Sequence, residues 1–120
     1  MQILYKSTRG GEKDIPASRA VLNGLACDGG LYVPDSFPKL RVSLEDLSKM
    51  NYRDLAYEVM SLFLTDYTEE ELRRCIDSAY DSKFDVPEIA PLHKADGAYF
   101  LELFHGKTIA FKDMALSILP

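Results

Sequence analysis

Lys112 is the side chain in this sequence best placed for covalent chemistry. It stands between Phe111 and the run Met114-Ala115-Leu116, which opens a segment so apolar that, as a helix, it must be buried on every side. The N-terminal end of a helix disfavours a cation, and removal from water disfavours the charged form. Both effects lower the pKa of an amine placed there. Only the neutral amine attacks a carbonyl, which makes Lys112 a candidate nucleophile. Asp113, its neighbour, is a carboxylate that opposes the shift. Taken by itself, a lysine has the alternative of an ordinary solvated face.

Ser7-Thr8-Arg9-Gly10-Gly11 combines two hydroxyls, a guanidinium and flexible backbone N–H groups, a set able to hold an anion. A polar surface turn after a strand is the competing reading. Cys27-Asp28-Gly29-Gly30 lacks the spacing of a phosphate-binding loop and reads as a tight turn. His105, in a glycine-containing loop just before the lysine segment, is a candidate proton carrier or orienter. His93 falls inside a strand pattern and reads as packing. Cys27 and Cys75 form no CxxC and have no histidine at metal-ligand spacing. They read as buried free thiols of a reducing compartment, which places the chain in the cytoplasm with no metal site.

The elements that must position these residues follow from periodicity and punctuation. Ile3-Leu4-Tyr5 and Leu31-Tyr32-Val33 read as short strands, the second ended by Pro34. After Pro16, Ala17, Ala20, Val21, Gly24 and Leu25 recur at helical spacing up to the turn at Cys27. Ser43 caps a short helix carrying Leu44, Leu47 and Met50, and Asn51 caps a longer one. The longer helix carries Tyr52, Leu55, Ala56, Val59, Met60, Phe63 and Leu64 on one face. Thr68 and Glu71 form a capping box for a helix that buries Leu72, Cys75, Ile76, Ala79 and Tyr80. Asp96-Gly97 turns a hairpin between 92–95 and 98–104, and a loop at 105–108 leads to the apolar final helix. The fold class is α+β. Residues 1–91 form a helix-rich domain with short strands, and residues 92–120 are the first strand, loop and helix of an α/β domain. Leu25, Leu55, Val59, Phe63, Leu72 and Ile76 are the expected core.

The chain has 120 residues, 47% apolar and 28% charged, with a formal net charge of −5. That balance belongs to an ordinary globular domain and argues against a general nucleic-acid binder. No run approaches the roughly 18 apolar residues of a membrane span, and the start lacks the pattern of a signal peptide. The final apolar segment carries no cap, so the chain reads as the N-terminal piece of a longer protein whose exposed tail promotes self-association.

Three motifs carry a resemblance. The run Glu102 to Asp113, ELFHGKTIAFKD, resembles the cofactor-lysine motif of threonine synthases, usually ELFHGPT-x-AFKD. Tyr5-Lys6-Ser7-Thr8-Arg9-Gly10 is similar to the family's YxSTRG opening, and Val21 to Pro34 resembles its AVLxGLAxDGGLYVP signature. The resemblance implies a pyridoxal-phosphate enzyme of fold type II, preceded by a small family-specific domain. Such an enzyme converts O-phospho-L-homoserine and water into threonine and phosphate. It implies that Lys112 is the residue bound covalently to the cofactor, able to shuttle protons once released, and that the 92–120 segment begins the cofactor domain. Ser7, Thr8 and Arg9 then line or brace the active-site entrance near the substrate phosphate. Lys107 stands where the family has proline. That departure opens the alternative of a phospho-lyase acting on a similar phosphorylated amino acid. A non-catalytic interaction module is the alternative of a different class. The 120 residues alone are expected to be inactive.

Overall fold

The computed structural model describes residues 2–119. Its architecture is α+β, with two small antiparallel sheets and five helices among those residues. Strand β1 (Tyr5–Ser7) pairs with β2 (Tyr32–Pro34) in the register Tyr5 to Pro34, Lys6 to Val33 and Ser7 to Tyr32. The first strand begins two residues later than the apolar run suggests. Ile3 is instead buried, and its N–H donates to Thr65 Oγ1 at 2.9 Å, so its backbone is satisfied outside a sheet.

Helix α1 (Ala17–Asn23) follows Pro16 and stops four residues short of the expected turn. Gly24 takes φ +71°, a left-handed conformation that ends the helix, and its N–H donates to the Ala20 carbonyl. Leu25 therefore lies beyond the helix and is 57% exposed, which corrects its place in the expected core. Helix α2 (Leu44–Leu47), α3 (Tyr52–Phe63) and α4 (Glu69–Ala79) start at the predicted caps. Ser43 accepts from the Asp46 N–H, and Asn51 accepts from the Asp54 N–H. Thr68 and Glu71 form the reciprocal capping box.

The core lies where α3 packs against α4 and the segment that follows it. Leu62, Leu72, Ile76, Ala79, Tyr80, Phe84 and Ile89 are buried, with Tyr52 edge-on to Tyr80 at 4.9 Å. Leu55 and Phe63 are half-buried. Val59 is exposed, because its side of α3 borders an open apolar groove rather than the core. Cys27 and Cys75 are free, but both are exposed rather than buried. Cys27 sits in an exposed turn, and Cys75 lies on the outer side of α4 between its buried positions.

Strands β3 (Leu92–Ala95) and β4 (Ala98–Leu101) form the expected hairpin, turned at Asp96-Gly97. The second arm ends at Leu101, three residues early, because Leu101 already lies opposite Leu92 and the Glu102 N–H donates to the Pro91 carbonyl. His93 is exposed rather than packed, with Nε2 3.6 Å from Glu102. The final helix α5 (Asp113–Leu116) has four residues, not the full apolar stretch. Met114 and Ile118 pack on the core, whereas Leu116 and Leu119 are more than half exposed. No helix is long and apolar enough to cross a membrane among the described residues.

Candidate functional site

Lys112 occupies the position before α5, at the end of a tight turn that begins at Gly106. Successive backbone bonds close this segment: Ile109 N–H to the Gly106 carbonyl, Asp113 N–H to that of Ala110, and Leu116 N–H to that of Lys112. The lysine side chain is exposed and makes no capping hydrogen bond. Among the described residues it enters none of the ion pairs. The burial expected around Lys112 is therefore absent, because α5 is short and packs on the core by Met114 rather than all round. Lys112 instead lines an open apolar groove of about 610 Å³, whose walls include Tyr52, Leu55, Leu101, Leu103 and Phe111.

Asp113, adjacent in sequence, turns the other way. It is 7% exposed, and its carboxylate accepts from the Thr108 N–H at 2.7 Å and the Thr108 hydroxyl at 2.6 Å. Its oxygens are engaged by Thr108, and it forms no ion pair with Lys112 among the described residues. Gly106 lies so close to the Asp113 side chain that a Cβ there would overlap it. Sequence reasoning weighed Asp113 only for its charge and missed this role. The signal available was its spacing from Thr108, which suits a carboxylate closing a loop on a hydroxyl and an N–H.

His105 is held between two carboxylates. Nδ1 is 2.6 Å from Asp85 and Nε2 is 2.7 Å from Glu102, with 10% of the side chain exposed. Both ring nitrogens face carboxylate oxygens, an arrangement that favours the imidazolium. The bond to Glu102, with Asp85 adding to it, raises the His105 pKa above its ordinary value. The Asp85 N–H donates in turn to the His105 carbonyl at 3.1 Å. Of the two roles read from the sequence, this geometry matches the orienter: His105 ties the segment after α4 to the lysine loop.

Ser7, Thr8 and Arg9 meet the Cys27-to-Leu31 turn. Ser7 is buried, and its hydroxyl donates to the Asp28 carboxylate at 2.7 Å while accepting from the Arg9 N–H. The Gly11 and Gly30 N–H groups donate to the same carboxylate at 2.7 and 2.9 Å. The Ser7 bond and the Gly30 N–H, offset only in part by desolvation, hold the Asp28 pKa below the usual carboxylate value. Thr8 exchanges two bonds with Leu31, and the Arg9 guanidinium donates to the Asp28 carbonyl at 2.9 Å. The anion for which this motif is built is thus supplied internally. None of these hydrogen bonds reaches the Lys112 loop. No group of three or more His, Cys, Asp or Glu able to hold a metal ion is present among the described residues.

Comparison with known proteins places this geometry in context. The family described as threonine synthase N terminus matches residues 4–80. Threonine synthase of Schizosaccharomyces pombe is 43% identical over 122 residues, spanning 98% of this chain and 24% of the relative. Threonine synthase-like 2 of Rattus norvegicus is 39% identical, spanning 94% of the chain and 24% of the relative. The crystal structure of PLP-bound threonine synthase from Brucella melitensis superposes with a TM-score of 0.86 at 34% identity. That match covers 98% of this chain and 26% of the other. The chain spans about a quarter of the length of the curated relatives it matches.

Proposed function

Because the chain belongs to the threonine synthase N-terminus family, we propose that it supplies the amino-terminal domain and the cofactor-anchoring lysine of a pyridoxal-phosphate-dependent threonine synthase. The observation that carries this reading is Lys112, an exposed residue lining an apolar groove and not ion-paired with the Asp113 carboxylate beside it. Those features fit the covalent end of the cofactor: an uncommitted amine, reachable from solvent, with apolar walls for a ring. Bound pyridoxal phosphate supplies the electron sink for carbanion chemistry on an amino-acid substrate. The chain's own part is positioning and proton transfer. Lys112 Nζ anchors the cofactor and, once released, holds or moves protons at the substrate's Cα and neighbouring carbons. His105, held at both ring nitrogens by carboxylates, fixes the loop from which the lysine projects. The substrate of this reading is O-phospho-L-homoserine, and the products are threonine and phosphate, in the cytoplasm.

In this proposal residues 1–91 are the family's small domain and residues 92–120 begin the cofactor domain. Ser7, Thr8 and Arg9 brace the first domain at the entrance instead of gripping the substrate phosphate, since Asp28 already fills the anion position. A phospho-lyase is the second reading, and exposed Lys107 in the turn before Lys112 is the observation that favours it. The deciding experiment is borohydride reduction of the full-length protein with cofactor, peptide mapping, and product analysis with phospho-homoserine. Cofactor fixed on Lys112, lost in Lys112→Ala together with turnover, supports the reading. Attachment to another lysine overturns it, and phosphate release without threonine selects the phospho-lyase.

A further inference from the structure

We infer that Asp113 is a positioning residue for the Lys112 amine, acting through the turn from Gly106 to Asp113. This rests on the reading of Lys112 as the cofactor anchor. A four-residue helix cannot hold its own conformation, so α5 cannot by itself decide where the lysine before it points. The turn has to be fixed from outside, and Asp113 is the group that fixes it. Its buried carboxylate takes both the N–H and the hydroxyl of Thr108, one on each oxygen. Gly106 packs directly on the Asp113 side chain, closing the loop at its other end.

Two further observations show that the turn is held under constraint. Ile109, three residues before the lysine, has φ +67°. A β-branched side chain resists this left-handed conformation, which persists only where the surroundings over-determine it. The Thr108–Asp113 pair on one side and the Ile109 N–H bond to the Gly106 carbonyl on the other are those surroundings. Beyond the turn, the Tyr80 hydroxyl donates to the Met114 carbonyl at 2.7 Å, tying the far side of the lysine to the end of α4. Lys112 is therefore suspended between two anchored points, one of them made by Asp113. The carboxylate is engaged by Thr108 and sets the place of the amine through the backbone.

The test uses full-length protein carrying Asp113→Asn, Thr108→Val or Thr108→Ser, each compared with the parent below its own melting temperature. Thr108→Val keeps the side-chain shape and removes only the hydroxyl donor, so it retains the best chance of folding normally. Readouts are the rate at which pyridoxal phosphate becomes borohydride-trappable on Lys112, the separate values of kcat and KM, and hydrogen exchange of the Thr108 amide in cofactor-free protein. Displacing a reacting group by about an ångström costs up to ~100-fold, so trapping rate and kcat should fall about 10- to 100-fold in Asp113→Asn and about 10-fold in Thr108→Val. KM should stay at the parent value, the Thr108 amide should exchange faster in Asp113→Asn, and Thr108→Ser should restore both rates. Variants that melt earlier yet trap cofactor and turn over at the parent rate overturn the inference, because Asp113 is then merely structural. Trapping on a different lysine in the parent itself overturns the underlying reading of Lys112, a result visible before any variant is made.

Discussion

Lys112 and Asp113 are consecutive residues with opposite fates, one exposed on an apolar groove and one buried against Thr108. The bracing role recurs at His105 and at Arg9. The folded state holds the His105 proton more tightly than the unfolded chain does, because Glu102 and Asp85 flank the ring. Its contribution to stability is therefore complete below the ordinary histidine pKa of about 6.5 and fades as pH rises through the raised folded value. The melting-temperature gap between parent and His105→Ala should be widest near about pH 6 and narrow as pH rises above the ordinary histidine value; a gap that widens with pH would contradict the carboxylate clasp. Arg9 donates to the Asp28 carbonyl. In Arg9→Ala we expect a lower melting temperature with an unchanged KM for phospho-homoserine, whereas a raised KM would return Arg9 to the substrate.

The elements that carry these residues differ in how firmly they are held. Helices α3 and α4 are capped by Asn51 and by the Thr68–Glu71 box, and they share the buried face of Leu72, Ile76 and Ala79. Ile76 is 1% exposed, so Ile76→Ala removes a fully buried side chain and should destabilise the protein by about 2 to 5 kcal/mol in denaturant unfolding. A loss below about 1 kcal/mol would mean that the site collapses around the missing atoms. Capped helices were legible because a cap is local: Ser43, Asn51 and Thr68 each accept from an N–H three residues on, a distance that sequence displays directly. Element ends governed by tertiary partners were less legible. Helix α1 stopped at Gly24 instead of Cys27, and β4 stopped where Pro91 met Glu102.

At the scale of the whole molecule, the apolar surface is concentrated in the last thirty or so residues. Leu92, Tyr99, Phe100, Leu101, Phe104, Ile109, Phe111 and Leu116 are each at least half exposed. The N-terminal body is better covered, with its core between α3 and α4. The lysine loop reaches that body through Tyr80, Asp85 and Met114, so amine and scaffold are connected. Yet the chain spans about a quarter of the length of its relatives. The purified 120 residues, mixed with pyridoxal phosphate and phospho-homoserine, should release no phosphate above the free-cofactor rate. Their exposed apolar side chains should also drive concentration-dependent association in light scattering. Tight stoichiometric cofactor binding with turnover would refute the first expectation, and a monomer at all concentrations the second.

The sequence by itself determined the α+β class, the caps, the hairpin turn and the three family motifs, because each depends on residues close together in the chain. It also singled out Lys112, through a contiguous run of twelve residues from Glu102 to Asp113. Tertiary structure alone decided what surrounds those residues. Asp28 fills the anion position offered by Ser7, and His105 finds Asp85 twenty residues away. Cys27 and Cys75 lie outside the core, and Lys112 stands in the open. Burial and long-range hydrogen bonding depend on which elements pack together. That information is spread over the whole chain, so no local spacing contains it.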